Sequence, residues 1–320
     1  MTVGNDIGVW DNYWKRGELH SCIPASDKDS QNDINCFWQD FFSSFGDDQV
    51  LLDIGTGNGL LPSLAVRYAN EQGFGWEVHG IDLADIDPVR DVPALRSILD
   101  QVNFQGRINC EDLPFDEEYF DVVTAQYAVE YSEISKSISE IHRVLKKGGT
   151  CCLVLHSDHS LVVSQNKLNI AESDYLLGRD IFLRCKEGLS QILASGRSAA
   201  QVSEDLMRYR RTVESLSEDV PEKGWMNVIP IMQSSLLEIL NLRSLYHPAQ
   251  VVGMIDHAKR RLKEQRDVLC TLVKAALDSE DRKAFIQDLS RTRFDVTMAQ
   301  DFCVGEKQLV LGCCYQLKKQ

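Results

Sequence analysis

The segment "LLDIGTGNGL", residues 51–60, decides the fold class of this chain. Its apolar run ends at Asp53, and Gly55, Gly57 and Gly59 follow at alternate positions. Because glycine has no β-carbon, glycines placed after a short apolar strand let the backbone come close to a ligand. The pattern predicts a ligand-binding turn between a buried parallel strand and a helix.

The spacing of these glycines excludes two common phosphate-binding turns. A dinucleotide fingerprint, Gly-x-Gly-x-x-Gly, needs its third glycine at position 60, where the chain has Leu60. A triphosphate-binding loop needs Gly-Lys-Ser or Gly-Lys-Thr, but Leu60 and Leu61 follow Gly59. The remaining pattern is Asp-x-Gly-x-Gly-x-Gly, with Asp82 at the end of the next predicted strand.

Strands and helices alternate through the first half of the chain. Short apolar runs predict strands at 49–55, 77–82, 120–127 and 150–157, and helical spacing predicts helices at 34–46, 59–72, 88–102 and 134–147. In the last of these helices, Lys146 and Lys147 before Gly148 and Gly149 indicate a helix C-terminus. The alternation predicts an α/β fold with a doubly wound, mostly parallel sheet.

The second half of the chain has a different pattern. Residues from about 160 to 292 show only helical periodicity, including one long helix at 249–278. A connection of this length in a compact domain predicts a large helical insertion, because long structureless loops are uncommon there. Strand patterns return at 294–304 and 308–319, which predicts a terminal antiparallel β-hairpin.

Composition limits the classes of function. The formal net charge of −14 over 320 residues argues against a nucleic-acid partner, because a phosphate backbone requires clustered positive charge. No run approaches 18 consecutive apolar residues and the N-terminus lacks the layout of a signal peptide, so we expect neither a membrane span nor secretion. The ten cysteines include no Cys-x-x-Cys pair and are interpreted as reduced residues of a cytoplasmic protein.

Four segments carry a family resemblance. They are "LLDIGTGNGLLPSLAV", "VHGIDLA", "CEDLPFDEEYFDVVTAQYAVEY" and "EIHRVLKKGGT", and they resemble the successive signature segments of class I S-adenosylmethionine-dependent methyltransferases. Within that class the chain resembles most the ubiquinone/menaquinone-biosynthesis type, over about residues 49–157. The resemblance implies S-adenosyl-L-methionine as cofactor and a seven-stranded sheet in which the terminal hairpin supplies the last two strands.

The resemblance places the methionine end of the cofactor at the glycine turn. It implies a close approach of the backbone at Gly55 and Gly57, within the turn that Gly59 completes. Asp53 is expected to help hold the loop and the amino group of the cofactor. Gln126, at the end of the predicted strand at 120–127, is expected to line the same end of the site.

The resemblance places the adenosine end at the two following segments. Asp82 ends its strand where a carboxylate can accept both ribose hydroxyls, and Leu83 follows it. The family usually has an acid at the position of Asn109, and asparagine can accept from the adenine amine only through its uncharged carbonyl oxygen. Cys110 and Glu111 are expected to flank the ring.

Aromatic residues precede the predicted sheet. The segment "WDNYWKRG", residues 10–17, resembles the N-terminal lid of related enzymes, which implies cofactor contacts from Tyr13 and Trp14. A short helix with aromatic residues facing the core explains the same pattern equally well. A lid would exclude water and fix the line of attack, which are the main contributions that an enzyme can make to methyl transfer.

The sequence defines the methyl acceptor less well. "AQYAVEY" lacks the Asn/Asp-Pro-Pro-Tyr motif of enzymes that methylate base or amide nitrogens, whereas Tyr131 and His156 are predicted at the sheet edge where acceptors bind. His156 could act as a general base, or it could orient a loop or a substrate anion. Weaker candidates are Glu130, Asp158 and His159. No metal site is expected, because the histidines and Asp158 have no supporting ligands elsewhere.

These expectations define a domain organisation and a function. The predicted parts are an N-terminal helical lid at 1–48, a cofactor-binding core at 49–159, a helical insertion at 160–292 and a hairpin at 293–320. The insertion is expected either to cap the acceptor pocket or to form a homodimer. The expected function is methyl transfer to a small-molecule acceptor by in-line displacement. The alternatives are a tRNA or protein acceptor, and a non-catalytic cofactor-binding scaffold.

Overall fold

The computed structural model describes residues 7–19, 28–218, 220 and 227–320. Parts of the predicted lid, at 1–6 and 20–27, and of the predicted insertion, at 219 and 221–226, lie outside the described residues. Each helix within the described ranges is too short or too polar to span a bilayer.

The helices and strands follow the chain in this order. The helices are α1 (Ile7–Trp14), α2 (Lys28–Phe42), α3 (Leu60–Gln72), α4 (Pro88–Asp91), α5 (Arg96–Leu99), α6 (Ile134–Val144), α7 (Leu161–Leu177), α8 (Ile181–Ile192), α9 (Ala199–Glu214), α10 (Val228–Asn241), α11 (Pro248–Ala275) and α12 (Ser279–Arg291). The strands are β1 (Val50–Ile54), β2 (Glu77–Ile81), β3 (Val102–Gln105), β4 (Phe120–Gln126), β5 (Leu145–Leu155), β6 (Phe294–Val304) and β7 (Leu309–Lys319). The chain forms two compact units, Met1–Ser164 with Thr271–Gln320, and Gln165–Cys270.

The first unit contains one seven-stranded sheet in the order β3-β2-β1-β4-β5-β7-β6. The strands from β3 to β5 pair in parallel, whereas β7 runs antiparallel to both β5 and β6. The predicted α/β class, with a mostly parallel sheet and a terminal antiparallel hairpin, is confirmed. Because β1, β2 and β4 are parallel neighbours, the residues that follow their carboxyl ends meet at one edge of the sheet.

Helices cover both faces of the central strands. On one face, Trp38 of α2 and Leu61 of α3 belong to the same buried cluster as Leu51 of β1. On the other face, Ile141 of α6 belongs to a buried cluster with Leu52 of β1. Neither Leu51 nor Leu52 is exposed, and burying each such side chain stabilises the fold by about 1.5–3 kcal/mol. The strand before the glycine turn is therefore held rigidly.

The prediction of one helix over 88–102 is wrong. α4 ends at Asp91, a 3₁₀ turn covers Pro93–Leu95, and α5 ends at Leu99. Proline has no backbone N–H and its ring clashes with the preceding turn, so Pro93 cannot continue α4. The predicted helix also included Val102, which instead begins β3 and pairs with Val78 of β2.

The prediction that the helix at 134–147 ends at Lys147 is also wrong. α6 stops at Val144, and Leu145 already pairs with Phe120 of β4. The pairing register shifts between Phe120 and Val122, which leaves residues 146–149 of β5 as a bulge. Pairing with β4 overrides the lysine-glycine signal that is typical of a helix C-terminus.

The second unit, Gln165–Cys270, is helical and has its own buried cluster around Leu189 and Leu236. Glu172 of α7 is fully buried, and its carboxylate accepts the N–H groups of Val228 and Ile229 at 2.7 and 3.0 Å. These donors begin α10 and have no partner within that helix. The predicted role of the insertion, as acceptor cap or homodimer interface, stays a prediction.

The end of the predicted insertion differs from the division seen in the structure. The insertion was predicted to reach residue 292, but the first unit resumes at Thr271. α12 belongs to the first unit because Phe285 and Leu289 are buried in the same cluster as Leu52 of β1.

Candidate active site

A pocket opens in the first unit at the carboxyl edge of β1, β2 and β4. Ten residues predicted to bind cofactor or substrate line it: Trp14, Asp53, Gly55, Asp82, Leu83, Asn109, Cys110, Glu111, Gln126 and Tyr131. Four other predicted residues are not part of the lining: Tyr13, Gly57, Gly59 and His156. The structure therefore brings most of the predicted site together from five separate segments of the chain.

Asp82 joins the glycine turn to the end of β2. Its Oδ2 accepts the N–H of Gly57 at 2.8 Å, and its Oδ1 accepts the N–H of Ala84 at 2.8 Å. The side chain is 9% exposed, and burial raises its pKa to about 6 despite these hydrogen bonds. The acid is thus held in one orientation at the pocket wall.

Asp53 lines the same pocket from near the carboxyl end of β1. It is 3% exposed, and its Oδ1 accepts a hydrogen bond of 2.8 Å from Thr124 Oγ1 of β4. Burial, with a smaller contribution from the carboxylate of Asp82, raises the pKa of Asp53 to about 7. A bound positive charge would favour its ionised form.

The glycines make room mainly for other parts of the protein. A β-carbon on Gly57 would lie 2.6 Å from the ring of Trp14, and one on Gly59 would lie 2.7 Å from the ring of Phe104. Both glycines have positive φ angles, +51° and +79°, which strain any residue with a side chain. Gly55 lines the pocket. A β-carbon on Gly55 would also collide with the β-carbon of Ala128. The expected approach of the backbone to the cofactor at Gly55 and Gly57 stays a prediction.

The loop predicted to flank the adenine is anchored to the start of α6. Asn109 Oδ1 accepts the N–H of Glu111 at 3.0 Å, and Glu111 Oε1 accepts the N–H of Glu133 at 2.9 Å. Cys110 Sγ lies 3.3 Å from Ser137 Oγ, and burial raises the pKa of its thiol. The carbonyl of Asn109 therefore already accepts one backbone hydrogen bond, and one of its lone pairs remains for a ligand.

Gln126 connects the pocket to α2. Its Oε1 accepts a hydrogen bond of 2.6 Å from Nε1 of Trp38, which is fully buried. The sequence predicted Gln126 as a pocket residue but did not predict this partner. The bond fixes the amide oxygen, so the amide NH₂ is the donor left for a ligand.

α1 closes one side of the pocket through Trp10 and Trp14, whose rings stack at 5.9 Å. Asn58 Nδ2 donates to the carbonyl oxygen of Trp14 at 2.8 Å, and Arg107 forms an ion pair of 2.7 Å with Asp11. Trp14 is 8% exposed and therefore serves both as a core residue and as a pocket wall. The two interpretations of the aromatic segment are compatible.

His156 lies behind the pocket wall. Its ring is fully buried and stacks on Tyr127 with centroids 4.2 Å apart. Burial lowers the pKa of His156 to about 3, so the ring is neutral at physiological pH and too weak a base for efficient proton abstraction. Its position favours the orienting role over the general-base role.

Glu130 is the buried acid of this region. It is 6% exposed, and its Oε1 accepts the N–H of His156 at 2.7 Å. Burial raises the pKa of Glu130 to about 7. The bond ties the turn after β4 to the segment after β5.

Asp158 and His159 lie apart from the pocket lining. His159 Nδ1 is 2.8 Å from Ser157 Oγ, and Nε2 is 3.4 Å from a carboxylate oxygen of Asp301. Across the described part of the chain, no three histidine, cysteine or acidic side chains are grouped so that they could hold a metal ion.

Eleven lining residues were not among the predicted site residues: Trp10, Leu19, Ile54, Thr56, Leu60, Leu61, Ile81, Ile108, Tyr127, Ala128 and Ser132. Trp10 shares the predicted aromatic segment with Trp14, so the signal was present. Tyr127 directly follows β4, but its φ of +56° is uncommon for a bulky residue and no pattern in the sequence predicts it.

Known proteins resemble this chain over the region that forms the pocket. Residues 52–153 match a family model described as a methyltransferase domain. The chain is 26% identical over 189 residues to the ubiquinone/menaquinone biosynthesis C-methyltransferase of Vibrio parahaemolyticus, a match that covers 56% of this chain and 65% of that enzyme. It is 25% identical over 218 residues to the same enzyme of Pectobacterium atrosepticum, covering 64% and 80%.

A solved structure of geranyl diphosphate methyltransferase in complex with GPP and sinefungin is also similar, with a TM-score of 0.43 and 12% identity over 90% of this chain and 78% of that one. The matched region spans less than two thirds of the Vibrio enzyme. The four motif segments, the order of the strands and the family match agree with one another. Residues 52–153 are therefore similar to a methyltransferase domain, and the chain is similar to C-methyltransferases of ubiquinone and menaquinone biosynthesis.

Proposed function

We propose that this chain binds S-adenosyl-L-methionine in the pocket of its first unit and transfers the methyl group to a small-molecule acceptor. The observation that carries the proposal is the 2.8 Å hydrogen bond from the N–H of Gly57 to Asp82. It joins the turn after β1 to the acid after β2, the two segments that a nucleoside with an amino-acid tail would contact together.

The residues of the pocket suit this cofactor. Asp82 uses one lone pair of each oxygen for backbone N–H groups and keeps others for ribose hydroxyls. Asp53 supplies a carboxyl group where an ammonium group would be stabilised. Leu83 and Ile108 supply apolar surface for a ring, and Asn109 and Glu111 lie beside them in the lining.

The bound cofactor supplies an electrophilic methyl group on a sulfonium. The protein contributes positioning and exclusion of water, because displacement in line requires the acceptor atom and the methyl group to be held in order. Trp10 and Trp14 cover one side of the pocket, and the bond from Asn58 to Trp14 holds them there. Gln126 is fixed by Trp38 at the end of β4.

A small acceptor is favoured by charge and by the relatives. The formal net charge of −14 opposes a nucleic-acid acceptor. The relatives are named as methyltransferases of ubiquinone and menaquinone biosynthesis, which is consistent with an acceptor of small molecular size.

Transfer of a tritiated methyl group into a size-fractionated cell extract tests the proposal. We expect label in the low-molecular-weight fraction, and less of it with the Asp82→Asn variant at subsaturating cofactor. Label confined to RNA or protein would contradict a small acceptor. Cofactor binding without transfer to any fraction would favour a non-catalytic scaffold.

A further inference from the structure

Beyond the donor, the pocket carries information about the charge of the acceptor. Four aromatic side chains line the pocket on the side of β4 and α1, and three of them are Trp10, Tyr127 and Tyr131. We call these three the aromatic wall. The ring centroids of Trp10 and Tyr131 are 5.8 Å apart with the rings edge to face, so α1 and the turn after β4 contact each other here.

Tyr127 is held in place at some cost. Its φ of +56° is a left-handed conformation that a bulky residue rarely adopts. Its hydroxyl donates to the carbonyl oxygen of Leu311 at 3.2 Å, and its ring stacks on His156. A β-carbon on Gly312 would lie 3.2 Å from the Tyr127 ring, so glycine leaves the ring its space. The surroundings therefore fix an aromatic ring at the pocket wall against the preference of its backbone.

Among the described residues, His156 and Glu130 form a second layer behind the aromatic wall, and neither brings a positive charge. His156 is neutral at physiological pH, because burial lowers its pKa to about 3. The other buried ionisable group there is Glu130, which is neutral or negative. A negatively charged group of a ligand at the aromatic wall would thus find no positive charge from these two residues.

The first layer has the same property. Within the described residues, the lining contains the acids Asp53, Asp82 and Glu111 and no lysine, arginine or histidine. Arg107, which directly precedes Ile108 of the lining, forms an ion pair of 2.7 Å with Asp11. The cofactor adds an ammonium, a sulfonium and a carboxylate. Their net charge is +1, which the acids of the lining offset.

We infer that the acceptor presents a flat apolar face to the aromatic wall and carries no negative charge there. Aromatic rings favour an apolar or cationic partner, whereas an anion placed against rings and carboxyl groups loses its hydration without gaining a counter-charge. Diphosphate and carboxylate acceptors are excluded by this inference. The inference rests on the proposed function, because it concerns the acceptor of the same site.

Three probes that share one ring system test the inference. They are 2-naphthol, which is uncharged, a 6-aminomethyl derivative, which is cationic, and 6-hydroxy-2-naphthoate, which is anionic, all at about pH 7.5. Each is titrated by calorimetry into protein saturated with sinefungin, an analogue of the cofactor that keeps a positive charge near the transferred methyl group. We expect the uncharged and cationic probes to bind at least tenfold more tightly than the anionic one.

A charge placed in the aromatic wall should change this preference. In Tyr131→Arg, again saturated with sinefungin, we expect the affinity for the anionic probe relative to the uncharged probe to rise at least tenfold over that of the unaltered protein. Tyr119→Arg is the matched control, because Tyr119 is 37% exposed and is not part of the lining. It should leave all three affinities unchanged, and circular dichroism of both variants confirms that they fold.

Several outcomes would overturn the inference. Binding of the anionic probe as tightly as the uncharged one would do so, and so would failure of all three probes to bind the sinefungin complex. A Tyr131→Arg variant that does not gain affinity for the anionic probe relative to the uncharged one would show that the wall does not set the preference. Failure of sinefungin itself to bind would contradict the proposed function as well, so the two failures are distinguishable.

Discussion

The backbone N–H of Gly57 donates a 2.8 Å hydrogen bond to Oδ2 of Asp82, while the N–H of Ala84 donates one of the same length to Oδ1. One carboxylate therefore holds the turn after β1 and the turn after β2 together. The shape of the pocket at its adenosine end depends on both oxygens of that group.

Replacing Asp82 by asparagine should weaken cofactor binding roughly tenfold to a hundredfold. An amide has one oxygen to accept the two N–H groups, and hydrogen bonds to a charged group contribute about 1.5–3 kcal/mol. Calorimetry with S-adenosylhomocysteine measures the change. Asp100→Asn is the control, because Asp100 pairs with Arg96 at 3.8 Å on an exposed surface. Unchanged affinity in Asp82→Asn would contradict the role assigned to this carboxylate.

Gly57→Ala should cost more stability than Gly73→Ala. Both glycines have positive φ angles, +51° and +75°, so both variants carry a backbone strain of about 1–2 kcal/mol. Only at Gly57 would the new β-carbon collide, at 2.6 Å from the ring of Trp14, whereas nothing lies within 4 Å at Gly73. Urea unfolding measures both variants, and Gly57→Ala should cost less stability in a Trp14→Ala background than in the unaltered protein. Equal losses in the two glycine variants would refute the steric argument.

Glu130→Gln should stabilise the protein relative to the unaltered chain as pH rises. Burial raises the pKa of Glu130 from 4.5 to about 7, so the folded state binds its proton more tightly than the unfolded state does. As pH rises from 4.5 to about 7, the carboxyl group loses its contribution to the free energy of unfolding. The glutamine of the variant does not titrate and loses none. From about pH 5 to pH 8 the difference in the free energy of unfolding should shift by about 2–3 kcal/mol in favour of the variant.

Urea unfolding across that pH range measures the shift, and Glu306→Gln on the exposed hairpin turn should show none. Comparing each variant with the unaltered protein cancels the contributions of the histidines, whose lowered pKa values act in the opposite direction. A constant difference between Glu130→Gln and the unaltered protein would show that the carboxyl group is not buried as described.

Asn58→Ala should loosen α1 without affecting the sheet. Asn58 Nδ2 donates to the carbonyl oxygens of Trp14 and Glu18, each at 2.8 Å, and losing buried partners of this kind costs about 1–3 kcal/mol. Hydrogen exchange should accelerate at residues 7–19 and stay slow in β1 and β4. Asn70→Ala, on the exposed side of α3, should leave exchange in α1 unchanged. Slow exchange of α1 in the Asn58 variant would show that other contacts hold it.

Much of the fold could be predicted because the sequence patterns are local. The central strands are apolar runs bounded by turn residues, and the turn with Gly55 has a spacing that few sites share. β3 was missed because Val102 follows a stretch with helical spacing, and its strand state depends on pairing with Val78. The bulge at 146–149 has the same cause, since only the pairing of Leu145 with Phe120 ends α6.

The site was predicted less completely for a related reason. Asp53 lies near the carboxyl end of β1 and Asp82 directly follows β2, so their meeting at one edge is a consequence of parallel order. The roles of Gly57 and Gly59 depend on which rings pack against them, and Trp14 comes from a segment far away in sequence. Tyr127 was missed because its left-handed backbone is imposed by tertiary contacts with His156 and Leu311.

Calorimetric titration of the protein with S-adenosyl-L-methionine, and separately with S-adenosylhomocysteine, tests the central claim most directly. We expect saturable binding of both at one site per chain, with each displacing the other and with the affinity reduced in Asp82→Asn. If neither compound bound to the folded protein, that result would contradict the claim that this pocket is a methyl-donor site.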